Sequence, residues 1–174
     1  ILVYEGIKQS NKILDLLKLI AFQVGQEVSL QELARQLGIS KNTVESYLDL
    51  LSKVFVIYKV PGFSRNLRKE ITKSNRWYFY DNGIRNGIIA NFSRLDARTD
   101  VGALWENYLA SERIKYQNYT QKNVTNYFWR TYDQQELDWL EEENGMLRGY
   151  EFKWNENRKV KIPGAFAKGY PEAS

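Results

Sequence analysis

The sequence predicts a mixed α/β (α+β) fold in two parts, on three observations. Apolar residues recur at helical spacing through most of residues 11–53, and runs rich in β-branched and aromatic residues follow. A further helical segment near residue 102 precedes three more strand-like runs. The 174 residues are 43% apolar, enough for one large core or two small ones. We therefore expect two small domains, residues 1–95 and 100–174, with a polar linker at 93–100.

The composition excludes several kinds of chemistry. The chain has no cysteine, which removes disulfides and thiolate nucleophiles and favours a reducing compartment, so we expect the cytoplasm. It has no histidine, which excludes Ser-His-Asp catalysis and imidazole-ligated metals. Apolar runs are too short to cross a bilayer and the first residues do not resemble a signal peptide, so we expect no membrane role. Any catalysis must use carboxylates, lysines and hydroxyl groups.

Residues 29–51 have the pattern of a helix-turn-helix. Ser29 and Glu32 form a capping box that predicts a helix start, and Gly38 suits the left-handed turn that ends this helix. Ser40 is a suitable N-cap for the following helix. An earlier helix is predicted over residues 11–22, so three helices precede the first strand.

A winged helix is predicted because a β segment follows the helix-turn-helix. Residues 54–60 and 77–80 have strand composition, and the stretch between them is basic with Glu70 as its single acid from 65 to 76. A DNA-binding interpretation places the start of the third helix on base edges and the basic stretch on phosphates. The residues concerned are Lys41, Asn42, Thr43, Ser46, Arg65, Arg68, Lys69 and Lys73.

A packing or protein-contact module has the same pattern. Glu45 and Asp49 lie on the exposed side of the predicted third helix, where their charges oppose a phosphate backbone. The sequence leaves both interpretations open.

The second half begins with a predicted helix from residue 102 to about 115, which carries Glu106 in its first turns. A strand is predicted at 127–130. Two more, at 137–140 and 149–154, are joined by a turn at Asn144-Gly145. The order of helix and antiparallel strands predicts an α/β unit.

Three side chains of this unit suggest metal-dependent chemistry. Glu151 and Lys153 are two residues apart on a predicted strand, so they share a face, and Asp138 on the partner strand can reach them. Asp138 and Glu151 could hold Mg²⁺ or Mn²⁺, and Lys153 could orient a water or stabilise phosphate charge, with support from Glu106. The spacing is that of the PD-(D/E)XK, or restriction-endonuclease-like, superfamily. So short a motif also fits a solvated strand face with an incidental salt bridge.

The series of motifs along the chain resembles the C-terminal region of prokaryotic predicted AAA-type (AAA+ superfamily) ATPases. The motifs are ELARQLGIS with TVESYL, PGFSRNL, WYFYDNG, GALWENY, FWRT, ELD and EFK, and they span nearly the whole chain. The resemblance implies a P-loop ATPase domain, then a winged helix, then a nuclease-like domain of unknown function. By this similarity Glu106, Asp138, Glu151 and Lys153 match the nuclease-like signature.

We expect a C-terminal, non-ATPase fragment, truncated within its nuclease-like domain. The sequence has no Gly-x-x-x-x-Gly-Lys-Ser/Thr motif, so ATP would bind only to the N-terminal ATPase domain of a full-length protein. The leading hypothesis is interaction with DNA and a Mg²⁺-dependent nuclease site. A second is a protein-interaction or sensor module that docks on the ATPase domain, with an inactive site. A transcriptional regulator is disfavoured, because it would not need the carboxylates.

Overall fold

The computed structural model describes residues 10–65, 75–131, 133–155, 157 and 160–174. Its elements are α1 (Ser10–Phe22), β1 (Glu27–Val28), α2 (Leu30–Leu37), α3 (Lys41–Lys53), β2 (Ile57–Pro61), β3 (Asn75–Phe79), α4 (Asn82–Ile88), α5 (Val101–Tyr119), β4 (Thr125–Arg130), β5 (Glu136–Glu143), β6 (Met146–Tyr150) and α6 (Gly164–Gly169). These helices and two small antiparallel sheets confirm the predicted mixed α+β class.

The caps of α2 and α3 explain where these helices begin and end. Ser29 Oγ accepts a hydrogen bond from Glu32 N at 3.3 Å, and Ser40 Oγ accepts one from Thr43 N at 3.1 Å. Gly38 ends α2 in the left-handed conformation, with φ of 63°. The Glu32 carboxylate, which a capping box would direct back to residue 29, instead accepts from Gln36 Nε2 at 3.2 Å. The helix boundaries are those that the sequence predicts.

The first sheet has the strand order β1-β3-β2, with all pairs antiparallel. Strand β2 begins at Ile57, three residues later than predicted, because Val54 and Phe55 still belong to the C-terminal cap of α3. Phe55 has a φ of 58° there. The central strand β3 is buried over Arg76–Phe79 on both of its faces.

The second sheet has the order β4-β5-β6. Asn144 and Gly145 have φ values of 53° and 80°, so they form the predicted tight turn between β5 and β6. Strand β6 ends at Tyr150, and the prediction of a strand through residue 154 is wrong. Glu151 and Lys153 therefore lie beyond the strand.

One core extends through both halves. Ala110, Phe128 and Trp139 belong to the same buried cluster as the apolar faces of α1, α2, α3 and the first sheet. The Asn107 side chain of α5 pairs with the backbone of Phe79: its Oδ1 accepts from Phe79 N at 2.7 Å, and its Nδ2 donates to Phe79 O at 3.0 Å. The core thus crosses the predicted boundary near residues 95–100. A smaller cluster around Leu140 and Phe166 lies mostly in the second half and includes Phe63 of the first.

Buried ion pairs fix the segment predicted as a linker. Asp100 precedes α5 and accepts hydrogen bonds from Arg85 and Arg98, whose side chains are 3% and 2% exposed. Arg98 also donates to Asn91 O at 2.8 Å and to Asn86 Oδ1 at 2.9 Å. The guanidinium groups of Arg98 and Arg85 hold the pKa of Asp100 well below its usual range, against the effect of burial. Asp100 therefore joins α4 to the start of α5.

The change Asp100→Asn should lower the free energy of unfolding by about 3 kcal/mol, because it leaves two buried guanidinium groups without their anion. Urea unfolding at pH 7 measures this loss. The matched control is Asp96→Asn, since Asp96 pairs with Arg94 on the surface, where both side chains are mostly exposed. Equal losses in the two variants would contradict this account of the segment.

Candidate functional site

Three of the four predicted site residues lie together. Lys153 Nζ is 2.6 Å from Glu151 Oε2 and 3.4 Å from Asp138 Oδ2, so one ammonium contacts both carboxylates. The side chains of Asp138 and Glu151 are only 7% and 10% exposed, and that of Lys153 is 36% exposed. The group is thus a largely buried pair of carboxylates with a cation on its open side.

Irregular backbone brings these residues together. Phe152 N donates to Asp138 Oδ2 at 2.8 Å, so the chain after β6 folds against the middle of β5. Glu151, Lys153 and Asp138 are neighbours, as predicted. Glu151 and Lys153 do not share a strand face, however, because β6 ends at Tyr150. Asp138 positions the segment through its carboxylate, and the ladder of the sheet has already ended.

The electrostatics of the group follow from burial and like charge. Burial raises the pKa of Glu151, and the Asp138 carboxylate raises it further against the effect of Lys153. Burial alone would lower the pKa of Lys153, but contact with Glu151 and Asp138 raises it. Lys153 therefore stays charged, and a second cation would relieve the repulsion between the two carboxylates.

Glu106, the fourth predicted residue, is held mainly by the first half of the chain. Its Oε1 accepts a hydrogen bond from Tyr78 Oη at 2.7 Å and lies 3.8 Å from Arg76 Nη1. Burial and the charge of Asp138 raise the pKa of Glu106 to about 7. Glu106 is therefore within electrostatic range of Asp138.

The carboxylates of Asp138 and Glu151 are suitable ligands for the predicted Mg²⁺ or Mn²⁺. They supply two hard oxygen ligands, and Mg²⁺ commonly binds through one or two carboxylates with water and phosphate in the remaining positions. Among the described residues, no group of three or more acidic side chains is arranged to hold a metal ion. Within this part of the chain, an ion between Asp138 and Glu151 would take water or substrate oxygens in its remaining positions.

The α3 residues that were predicted to contact DNA lie on a surface that carries both signs of charge. Lys41, Asn42 and Ser46 are exposed, and Thr43 is half-buried beside Ser40. Lys41 pairs with Glu45 at 3.5 Å, and Lys53 pairs with Asp49 at 2.6 Å, one helical turn apart in each case. The exposed side of α3 therefore presents both signs of charge.

Of the four basic residues that were predicted to contact phosphates, the structure describes Arg65. Arg65 is exposed and lies over the ring of Tyr170, 5.1 Å from its centroid, so it contacts the second half. Arg68, Lys69 and Lys73 lie outside the described residues.

Glu141, which was not predicted as a site residue, has the most hydrogen-bonded carboxylate in the described part of the chain. It is 2% exposed and accepts two hydrogen bonds of 2.7 Å from Arg113 and one of 2.7 Å from Gln117. Its place in the acidic run 136–143 suggests a solvated face, but β5 is buried on both faces. Arg113 and Gln117, four residues apart on α5, were the available signal. Glu141 ties α5 to β5 beside the site.

The change Glu106→Gln should make stability less dependent on pH. Glu106 has a pKa of about 7 in the folded protein against an ordinary value of 4.5, so the unfolded chain loses this proton first as the pH rises. Its contribution is complete below pH 4.5 and is lost as the pH rises through 7. Between pH 5 and 8, wild type should lose about 2 kcal/mol more than Glu106→Gln in urea unfolding. Parallel curves for wild type and Glu106→Gln would contradict this assignment.

Comparison with known families places both halves. Residues 1–97 match a family described as a domain of unknown function (DUF8612), and residues 101–174 match another, DUF4143, which is typically found at the C-terminus of AAA-ATPase-like proteins. The "Uncharacterized protein Mb2031c" of Mycobacterium bovis and "Uncharacterized protein Rv2008c" of Mycobacterium tuberculosis are each 29% identical over 137 residues. That match covers 78% of this chain but 30% of either relative.

No solved structure matches the chain significantly. Within the described residues, no helix has the length and apolar character needed to span a bilayer. The family match over residues 1–97 extends across more than half of the sequence. The chain therefore belongs to the DUF8612 family, and its second half carries the DUF4143 match.

Proposed function

We propose that this chain is the DNA-interacting, non-ATPase part of an AAA+ superfamily protein and that its second half cleaves phosphodiester bonds with Mg²⁺ or Mn²⁺. The observation that carries the proposal is the contact of Lys153 with both Asp138 and Glu151 in a mostly buried group. A buried carboxylate with a raised pKa and a specific charge partner, as Glu151 has, marks a candidate functional site. ATP would act only through the ATPase domain of the longer protein.

The two family matches, which meet near residue 100, support a division of the sequence into two domains, 1–95 and 100–174, that share one core. In the first, β1 lies between α1 and α2, β2 and β3 follow α3, and the three strands form a sheet in the order β1-β3-β2. This order of elements supports the proposed winged helix. In the second, α5 precedes three antiparallel strands and α6 follows them. Asp138 lies on the middle strand and Glu151 with Lys153 directly after the last, so the PD-(D/E)XK match is one of residue spacing and proximity, not of strand position.

The site residues would divide the reaction between them. A bound Mg²⁺ or Mn²⁺ would supply Lewis-acid stabilisation of charge on the phosphate. Asp138 and Glu151 would hold the ion, which frees Lys153 from part of its contact with them. Lys153 could then donate to a phosphate oxygen or orient the attacking water. Glu106, partly protonated near pH 7, could accept a proton beside Asp138.

Replacing Asp138 by Asn or Lys153 by Ala should reduce cleavage by at least about 100-fold, because each change removes a group that holds the ion or stabilises phosphate charge. The cleavage rate is measured as nicking of supercoiled plasmid in the presence of Mg²⁺ or Mn²⁺, with EDTA-treated samples as the metal-free comparison. Lys115→Ala is the matched control, since Lys115 forms an exposed pair with Glu112. An inert wild type that still binds DNA would instead indicate a nuclease-derived scaffold.

A second function, docking on an ATPase domain, is favoured by one observation: the paired charges on α3. Lys41 and Lys53 are each beside a carboxylate, so this helix offers phosphate little net attraction. A protein partner can match such a mixed surface with complementary charges. In that case the nuclease-like site would be inactive.

Reversing charge in the double variant Glu45→Lys and Asp49→Lys separates the two functions. If α3 meets DNA, duplex affinity at low salt should rise about tenfold and its salt dependence should steepen, because phosphate repulsion becomes attraction. Fluorescence anisotropy over a salt series measures both. Docking would be favoured by two results together. The double variant would bind duplex no better than wild type, and it would bind the proposed ATPase domain more weakly. Asp15→Lys combined with Asp96→Lys, two exposed changes outside α3, gives the same change in net charge as the double variant and serves as its control.

A further inference from the structure

We propose that Tyr78 is a positioning residue for Glu106, so that the first half of the chain completes the carboxylate site of the second. This inference rests on the proposed nuclease function for its effect on catalysis. Neither family match assigns a role to any residue of β3.

The contact between the halves at Glu106 is direct. Tyr78 Oη donates to Glu106 Oε1 at 2.7 Å, and Arg76 Nη1 lies 3.8 Å from the same oxygen. Both side chains come from β3, where Tyr78 is fully buried and Arg76 is 4% exposed. Glu106 itself lies on α5. A hydrogen bond across two elements therefore determines where this carboxylate lies.

Tyr78 cannot move its hydroxyl group freely. Its ring stacks on Tyr58 with centroids 5.7 Å apart, and the edge-to-face contact with Trp139 has centroids 6.1 Å apart. Trp139 is fully buried and directly follows Asp138 on β5. Packing from both halves thus directs the hydroxyl at Glu106.

Arg76 ties the same strand to the second sheet. It pairs with Glu136 of β5 at 2.8 Å and lies over the ring of Phe128 in β4, 4.6 Å from the centroid. Its Nε is buried and has no hydrogen-bond partner in the described part of the chain. Arg76 therefore places a buried positive charge between Glu106 and Glu136.

Gly25 leaves the space that Glu106 fills. A Cβ at this position would lie 2.7 Å from Glu106 Oε1, and Gly25 has a φ of 73°. Gly25 N also donates to Trp77 O at 3.1 Å, which keeps the loop against β3. The loop after α1 and strand β3 together close the first-half side of the carboxylate.

A positioning role has an electrostatic consequence that simple packing lacks. Burial raises the pKa of Glu106, and the charges of Asp138 and Glu136 on β5 raise it further. Tyr78 and Arg76 on β3 lower it. A hydrogen bond donated to a carboxylate favours its charged form. Removing the Tyr78 hydroxyl should therefore raise the pKa of Glu106 while the ring still fills its place.

The test compares Tyr78→Phe with Tyr58→Phe. Tyr58 is a buried neighbour on β2 whose hydroxyl lies 3.4 Å from Ser111 Oγ, so Tyr58→Phe loses the same atom at a different contact. The first measurement is the pH titration of the Glu106 carboxyl carbon by NMR, assigned with Glu106→Gln. The second is the pH dependence of plasmid cleavage with Mg²⁺.

We expect Tyr78→Phe to raise the Glu106 titration midpoint by about half a pH unit or more. The pH at which cleavage activity rises should increase by a similar amount, and the affinity for duplex DNA should be unchanged. Tyr58→Phe should leave both profiles as in wild type. A Glu106 titration that is the same in wild type and Tyr78→Phe would overturn the inference. A shifted titration without cleavage by any protein would support the positioning and overturn the proposed nuclease function.

Discussion

Both faces of β3 are covered, and most other features of the molecule depend on this constraint. A strand of a small antiparallel sheet commonly has one solvated face, but Arg76–Phe79 is buried between the helices of the first half and the α5 and β5 elements of the second. Its polar groups must therefore be satisfied inside the protein. Asn107 does this for the Phe79 backbone, and Glu106 does it for the Tyr78 hydroxyl.

The buried charges follow from the same arrangement. The side chains of Arg76, Arg85 and Arg98 are almost fully enclosed, and each has a carboxylate partner. For Arg76 and Arg85 the partner lies in a different element, and for Arg98 it is Asp100, two residues along the same segment. Such pairs contribute little net free energy of folding when intact, but the loss of one partner is strongly destabilising. They therefore act mainly by making the native arrangement of the elements more stable than arrangements in which the pairs are broken. In this chain they determine how α5 and β5 lie against the first half.

Local signals in the sequence were sufficient for most of the elements. Ser29, Gly38 and Ser40 act through neighbouring backbone groups, so the ends of α2 and α3 could be predicted from a few adjacent residues. The carboxylate site was predicted less well, because Phe152 N contacts Asp138 from fourteen residues away and breaks the strand alternation. The roles of Tyr78 and Glu141 depend on contacts between distant elements, which no local pattern specifies.

The position of Lys153 also limits how the proposed site could work. The ammonium neutralises the carboxylates that would hold a divalent ion, so binding of that ion must overcome the attraction between Lys153 and these carboxylates. The phosphate of a substrate would offset this loss, because it offers Lys153 a new anion and the metal an additional oxygen ligand. Ion and phosphate should therefore bind better together than separately, and this coupling would let a site built on Asp138 and Glu151 favour a phosphate-bearing substrate.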